Sequence, residues 1–227
     1  MLQAKIISDT QNVKNTLSLY GIEERHLTEI GLRGYAARNN ATENDPPSTA
    51  GNNAYSAIVR AIREIFLPRG WEKLNKHNLC FTINPETKIA IVVSSGNQYV
   101  GIIDNCDPET KNRKGEQTEI YIRDNLNNLD IFDSENELQQ KVNFQKDIFP
   151  KFKTFIFLYC YDLDKGEMRL ELSLPRQMDN KGKVNRWLER IILEPTSLNA
   201  EPTFLRKETE LSNDFQHIDI PIKRRQQ

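Results

Sequence analysis

Residues 154–161 read Thr-Phe-Ile-Phe-Leu-Tyr-Cys-Tyr, an uncharged run rich in aromatic and apolar side chains. Such a run, bounded by turn residues and shorter than a typical buried helix, predicts a strand that is covered on both faces. Residues 162–167 supply Asp, Lys and Gly for a turn, and from Met168 to Leu174 apolar side chains alternate with polar ones. This pattern predicts an antiparallel hairpin whose first strand lies at the centre of a sheet.

A second hairpin is predicted earlier in the chain. Residues 79–83 and 88–95 are rich in strand-forming side chains, and the turn sequence Asn84-Pro85-Glu86-Thr87 separates them. Residues 89–93 are apolar at every position, which indicates another interior strand.

Helical spacing of apolar residues identifies the elements that should cover this sheet. Residues 54–67 form an apolar stripe that ends before Pro68, and residues 184–192 show comparable spacing. We expect both segments to be helices, with shorter helices at 10–20, from Thr118 and from Ser134. The predicted fold class is α+β, with a mixed or mainly antiparallel sheet built from two hairpins and packed by amphipathic helices.

Changes in composition along the chain suggest three parts. Residues 1–49 are expected to be a helical N-terminal extension with a polar linker that contains Pro46 and Pro47. Residues 50–195 form the predicted core domain. Residues 196–227 are predicted to be a weakly ordered tail, in which 218–225 alternate like a short edge strand.

Composition and charge limit the classes of partner. The chain has 227 residues, 28% of them charged, a net charge of −1 and a mean hydropathy of −0.65. No overall field therefore attracts it to nucleic acid or to an anionic membrane. The N-terminal residues lack an apolar signal core, and the three cysteines are far apart, so we expect a cytoplasmic protein without a membrane partner.

Motifs for cofactor chemistry are missing from the sequence. There is no phosphate-binding G-x-x-x-x-G-K-[ST] or G-x-G-x-x-G pattern, so no nucleotide cofactor is expected. There is no C-x-x-C, and the three histidines stand alone, so no metal site is predicted. A G-x-S-x-G nucleophile elbow is absent as well, which favours a protein that is not an enzyme.

One carboxylate lies where metal chemistry could still occur. Glu171 is between Arg169 and Ser173 on the polar face of a predicted strand. Nucleases of the restriction-enzyme type use an Asp on one strand and a Glu-x-Lys on the next to hold Mg²⁺ and orient a water molecule. Here Ser173 replaces the lysine, and the second carboxylate would be Asp162 or Asp104. A divergent Mg²⁺-dependent nuclease is thus the alternative function, and a solvated or arginine-paired Glu171 is the competing interpretation.

Basic residues near the two tryptophans are the candidates for partner binding: Arg60, Arg63, Lys183, Arg186 and Arg190. On a helix, Arg186 and Arg190 would lie one turn apart and could contact successive phosphates, although solvated helix faces have the same composition. Residues 119–141 carry the opposite bias, with six acids and two bases. These separated charges favour a non-enzymatic binding or accessory protein whose partner is a protein or a nucleic acid.

A series of short motifs carries a resemblance to known sequences: Gly70-Trp71, Thr82-Ile83-Asn84-Pro85, Ala90-Ile91, Lys114-Gly115, Glu171-Leu172-Ser173-Leu174-Pro175 and Trp187-Leu188-Glu189-Arg190-Ile191-Ile192-Leu193. In this order they resemble a group of uncharacterised bacterial proteins of similar length, over residues 54–195. The resemblance implies a bacterial, cytoplasmic protein. It implies no activity and transfers no site residue.

Overall fold

The computed structural model describes residues 3–76, 78–104, 106–132 and 152–199 of the chain. Its strands are β1 (Lys5–Ile7), β2 (Glu72–Lys76), β3 (Leu79–Asn84), β4 (Ile89–Ser95), β5 (Lys153–Asp162), β6 (Glu167–Met178), β7 (Val184–Ile192) and β8 (Thr196–Ser197). Its helices are α1 (Thr10–Leu19), α2 (Glu24–Arg38), α3 (Thr49–Phe66) and α4 (Glu116–Phe132), and a short 3-10 helix at Leu67–Arg69 follows α3.

The strands form one mixed sheet in the order β1-β7-β6-β5-β4-β3-β2, and β8 pairs with β6. The β1–β7 and β4–β5 pairs are parallel, and the other neighbours are antiparallel. The predicted α+β class with a mixed sheet is confirmed. The apolar run at 154–161 lies in β5, the middle strand of the seven-strand path. β3 pairs with β4 and β5 with β6, as the two predicted hairpins require, but further strands complete the sheet on both sides.

Both faces of the sheet are covered, which explains why β5 is apolar at successive positions. Phe155 and Phe157 belong to a core that the sheet shares with α1, α2 and α3. Ile156 and Leu158 belong to a second core on the opposite face, together with Tyr121 of α4. A strand buried on both faces cannot show the alternation that a half-exposed strand shows.

The helices before residue 50 belong to the first core. Leu17, Leu27 and Ile30 are fully buried in the same cluster as Phe155 and Leu172. β1 pairs in parallel with β7 at one edge of the sheet. The predicted N-terminal extension thus supplies helices and a strand to the same sheet and core as the later part of the chain.

The tight packing of α2 against α3 and β5 depends on Gly34. A Cβ atom added to Gly34 would lie 2.5 Å from both Ile58 Cγ1 and Tyr161 Oη. We expect Gly34→Ala to lower the free energy of unfolding by about 1–3 kcal/mol, because overpacking outweighs the helical preference of alanine. Urea denaturation measures this change. Gly51→Ala in α3 is the control, since a Cβ there meets no atom within 4 Å; equal stability of the two variants would show that α2 can move away from α3.

Residues 184–192 form strand β7, so the predicted helix at this position is wrong. Glu189 lies opposite Leu174 and Trp187 lies opposite Pro175, which leaves Leu188 as an extra residue in β7. A second extra residue, Asn185, lies between Arg186 opposite Gln177 and Val184 opposite Met178. Because of these two irregularities, Val184, Trp187 and Arg190, three residues apart, all contact groups on the α4 side of the sheet. Apolar residues three positions apart imitate the spacing of an amphipathic helix.

The remaining expectations have different outcomes. α3 begins at Thr49, five residues before the predicted start at residue 54, and ends at Phe66, and α4 confirms the helix predicted from Thr118. The helix predicted from Ser134 and the edge strand predicted at 218–225 lie outside the described residues. Of the helices that the structure describes, none is long and apolar enough to span a membrane.

Candidate functional site

A buried ion pair joins β6 to β7. Glu171 and Arg190 are both completely buried, and the carboxylate accepts hydrogen bonds from Arg190 Nε at 3.2 Å and Nη2 at 2.7 Å. Glu171 also accepts hydrogen bonds from the Ser173 hydroxyl at 2.8 Å and the Gly101 amide at 3.0 Å. The geometry matches the arginine-paired interpretation of Glu171. A metal ion could bind this carboxylate only by displacing Arg190 and the other donors.

The ion pair also fixes the loop between β4 and α4. Arg190 Nη2 donates to the carbonyl of Ile102 at 3.1 Å, and Trp187 Nε1 donates to the carbonyl of Pro108 at 2.9 Å. Gly101, at φ +72°, lies so close to the sheet that an added Cβ would be 2.8 Å from Arg169 Cβ. These contacts hold the described part of the loop against β6 and β7, and α4 begins after it at Glu116.

The other carboxylates proposed for metal binding are not assembled around Glu171. Asp162 ends β5, whereas Glu171 lies opposite Leu158, four residues earlier, which is about 13 Å along a strand. Arg169 lies between them and binds Asp162 at 3.2 Å. Asp104 is exposed in the loop. Among the described residues, no group of three or more His, Cys, Asp or Glu side chains could hold a metal ion.

Three of the five predicted basic contacts are already paired within the chain. Arg190 is buried against Glu171. Arg186 forms an ion pair with Asp107 at 3.3 Å, and Lys183 forms one with Glu109 at 3.4 Å. These three side chains therefore hold the loop between β4 and α4 on β7, and Arg190 is inaccessible to any partner.

Arg60 and Arg63 lie in a different place, along a surface groove of about 610 Å³ beside α3, which we call the α3 groove. Lys73 of β2 adds a third cation to its lining. Glu64 is the one acid among the described residues of this groove, and Arg33 binds it at 2.8 Å. The α3 groove is therefore a positively charged surface.

A second cavity, of about 580 Å³, lies at the carboxyl ends of β4 and β5, and we call it the strand-end cleft. Because β4 and β5 are parallel, their last residues meet at the same edge of the sheet, where Ser95 is opposite Tyr159. Such positions are where open α/β sheets bind ligands. The amide of Lys111 donates to the Ser95 carbonyl at 2.9 Å, which fixes the loop against this edge.

Three cations line the strand-end cleft: Arg38 at the end of α2, and Lys111 and Lys114 from the loop before α4. Among the described residues of the lining there is no Asp or Glu. None of the three cations forms an ion pair with a described residue. No described residue therefore compensates the positive charge of the cleft.

The beginning of α3 adds to this charge. Ser48, Ala50, Gly51 and Asn52 line the cleft, and the first turn of α3 contains no acidic residue. Ser48 makes no side-chain capping hydrogen bond. Unpaired amides and the helix dipole make such an end favourable for an anion, in addition to the three cations.

The Lys114 ammonium group is poorly solvated in the cleft. Burial lowers the pKa of this group from 10.5 to about 8. At neutral pH the side chain is still charged, but it is poorly solvated and has no described carboxylate near it. A bound anion would compensate the lost solvation, so the cleft is suited to phosphate or another anionic group.

The sequence alone did not identify these cleft residues. Arg38, the start of α3 and the pair Lys111 and Lys114 are separated along the chain, and only the fold of the loop and the parallel β4–β5 pair assembles them. The available signal was the basic sequence Lys111-Asn112-Arg113-Lys114, which lies between Glu109 and Glu116 in a polar part of the chain.

Comparison with family models, with curated proteins and with solved structures gives no match to this chain. The resemblance to a group of bacterial proteins stays a prediction. Any function must therefore be argued from the cleft, the groove and the ion pairs themselves.

Proposed function

We propose that the protein is a non-enzymatic nucleic-acid-binding protein that holds backbone phosphates in the strand-end cleft. The observation that carries this proposal is the group of three cations, Arg38, Lys111 and Lys114, in a concave site whose described lining contains no carboxylate. A neutral or cationic ligand would leave this charge uncompensated, whereas a phosphate would pair with it.

A nucleic acid fits this site better than a surface of another protein. The cations are arranged around a cavity rather than over a flat patch, and phosphate groups are compact anions that can enter it. The α3 groove continues the positive charge beside the cleft. The net charge of −1 means that this local concentration of cations, rather than the whole molecule, would supply the attraction.

The nuclease alternative has weaker support. Both carboxylate oxygens of Glu171 accept hydrogen bonds, and two of these hydrogen bonds come from Arg190. Asp162 forms an ion pair with Arg169. A divalent cation at Glu171 would have to break a buried ion pair. We therefore propose binding without cleavage.

Binding should depend on salt and on the cleft lysines. Fluorescence anisotropy with labelled single-stranded DNA and RNA should give a logarithm of the binding constant that falls linearly with the logarithm of salt concentration. Lys111→Ala should weaken binding to all sequences about equally and reduce this slope by about one, because one phosphate contact is lost.

Lys5→Ala is the matched control. Lys5 is an exposed lysine on β1, where it pairs with Glu189, far from the cleft along the sheet order. It should leave the affinity and the salt slope unchanged. If Lys111→Ala and Lys5→Ala bind alike, the strand-end cleft is not the binding site; cleavage of the labelled strand that requires Mg²⁺ would support the nuclease alternative instead.

A further inference from the structure

We infer that the ligand is a single strand of nucleic acid that runs from the strand-end cleft, across Tyr55, into the α3 groove. This inference rests on the proposed function and specifies its ligand. Tyr55 lines both cavities, so the two meet at its side chain. Their volumes, about 580 and 610 Å³, are similar.

Cations are placed along the whole path. Arg38, Lys111 and Lys114 lie on one side of Tyr55, and Arg60, Arg63 and Lys73 lie on the other. Arg63 donates to Asn75 at 2.6 Å and so has a fixed position above β2. A chain of phosphates is the ligand that would use cations on both sides of an aromatic residue.

The length of the path sets the size of the ligand. Gly51 in the first turn of α3 lines the strand-end cleft, and Arg63, the last cation of α3 that lines the α3 groove, lies twelve residues later. At 1.5 Å per helical residue they are about 18 Å apart. This distance corresponds to about five nucleotides at the 3.4 Å spacing of a stacked strand.

The shape of the cleft selects a single strand over a duplex. Lys114 is half-buried, and the neighbouring Ser94 and Tyr159 are only 3% and 5% exposed. A phosphate has to enter the cavity to approach these residues, which the outer surface of a regular duplex does not allow. Bases freed from pairing can instead lie against an aromatic ring such as Tyr55.

The hydroxyl of Tyr55 contacts Cys80, and the experiment must distinguish this contact from base stacking on the ring. Burial raises the pKa of this hydroxyl to about 12, and a hydrogen bond with Cys80 adds to this effect. Tyr55→Phe removes the hydroxyl and keeps the ring, whereas Tyr55→Leu removes the ring. Stacking requires only the ring, so the two variants distinguish the roles.

The experiment measures the affinity of the full chain for oligothymidylates of two, four, six and eight nucleotides, for oligouridylates of the same lengths and for a 20-base-pair duplex. Affinity should rise with length to about five nucleotides and then level off. The duplex should bind at least tenfold more weakly than the eight-nucleotide strand. Comparison of the thymidine and uridine series shows whether DNA or RNA is preferred.

Variants connect these results to the path. Arg60→Ala combined with Lys73→Ala should weaken binding of eight nucleotides about tenfold, and leave the affinity for two nucleotides unchanged. Tyr55→Leu should weaken binding of the longer strands about tenfold, and Tyr55→Phe should bind like the unmodified chain. Circular dichroism establishes that each variant is folded.

The failures of the two proposals differ. If binding is lost in Lys111→Ala but does not change with strand length or with the substitution of Arg60, the single-strand path is overturned and the strand-end cleft remains the binding site. Equal affinity for duplex and single strand would overturn the path as well. No binding to any oligonucleotide would overturn the proposed function together with this inference.

Discussion

Glu171→Ala is expected to lower the free energy of unfolding by about 3–5 kcal/mol, because the buried charge of Arg190 would keep only Asp107, 3.9 Å away, as a counter-charge. Glu171 and Arg190 are completely buried, and the Gly101 amide and the Ser173 hydroxyl would also lose their acceptor. Since small domains have a free energy of unfolding of only about 5–15 kcal/mol, this one change would remove a large part of the stability. Urea denaturation followed by circular dichroism measures the loss.

Two further variants separate the ion pair from a general effect of mutation. Glu171→Leu combined with Arg190→Met removes both charges, and it should recover most of the stability that the single variant loses. Glu29→Ala removes a surface carboxylate that binds Arg33 at 2.6 Å, and it should change stability by about 0.5 kcal/mol or less. A loss below 1 kcal/mol in Glu171→Ala would contradict the structural role of the pair, because a catalytic carboxylate can be removed without such a cost.

Lys114→Met should have opposite effects on stability and on binding. The pKa of Lys114 is lowered from 10.5 to about 8 by burial, so its charged form is disfavoured in the folded protein. Each unit of pKa corresponds to about 1.4 kcal/mol, and after allowing for partial exposure we expect Met to stabilise the fold by about 1–3 kcal/mol at pH 7. Affinity for nucleic acid should fall about tenfold, because one of the three cations that line the cleft is lost.

The effect of Lys114→Met on stability depends on pH in a defined direction. Below pH 8 Lys114 is charged in both the folded and the unfolded state, so the unmodified chain bears the full cost of burying this charge. Between about pH 8 and 10.5 the folded state releases its proton first, and the unmodified chain becomes relatively more stable as pH rises. The advantage of the variant should disappear by about pH 10.5.

Urea denaturation at pH 7 and pH 10.5 tests this dependence. Lys111→Met is the control, since Lys111 is exposed and should affect binding without affecting stability. A destabilised Lys114→Met variant at pH 7 would show that the lysine has a structural partner and is not poised for an anion.

The central part of the fold was predictable because its signals are local. The apolar run of β5 and the apolar stripe of α3 each indicate their structure within one segment. The helix expected at β7 is wrong because irregularities at Asn185 and Leu188 place Val184, Trp187 and Arg190 three positions apart on one face, and such irregularities depend on the neighbouring strand. The buried Arg190 increased the error, since an arginine at that position looks like the polar face of a helix.

The candidate site was less predictable than the fold. The sequence draws attention to Glu171 as a polar residue on a strand, but its partner Arg190 is 19 positions away and lies in a segment that the spacing predicts as a helix. The cleft cations come from α2 and from a loop without periodicity, so no spacing rule brings Arg38 near Lys114. Parallel pairing of β4 and β5, which the sequence did not indicate, creates the edge where they meet.

The parallel pairing of β1 with β7 has a consequence for the order of folding during synthesis. Lys5 lies opposite Glu189, so β1 can pair with its neighbour only after β7 has been synthesised. Ribosomes add about 5–20 residues per second, and the roughly 150 residues between α2 and the end of β7 take roughly 8–30 s. During that interval the apolar faces of α1, α2 and α3 lack most of the sheet that buries them, so we expect this apolar surface to stay exposed to water until β5, β6 and β7 have been synthesised.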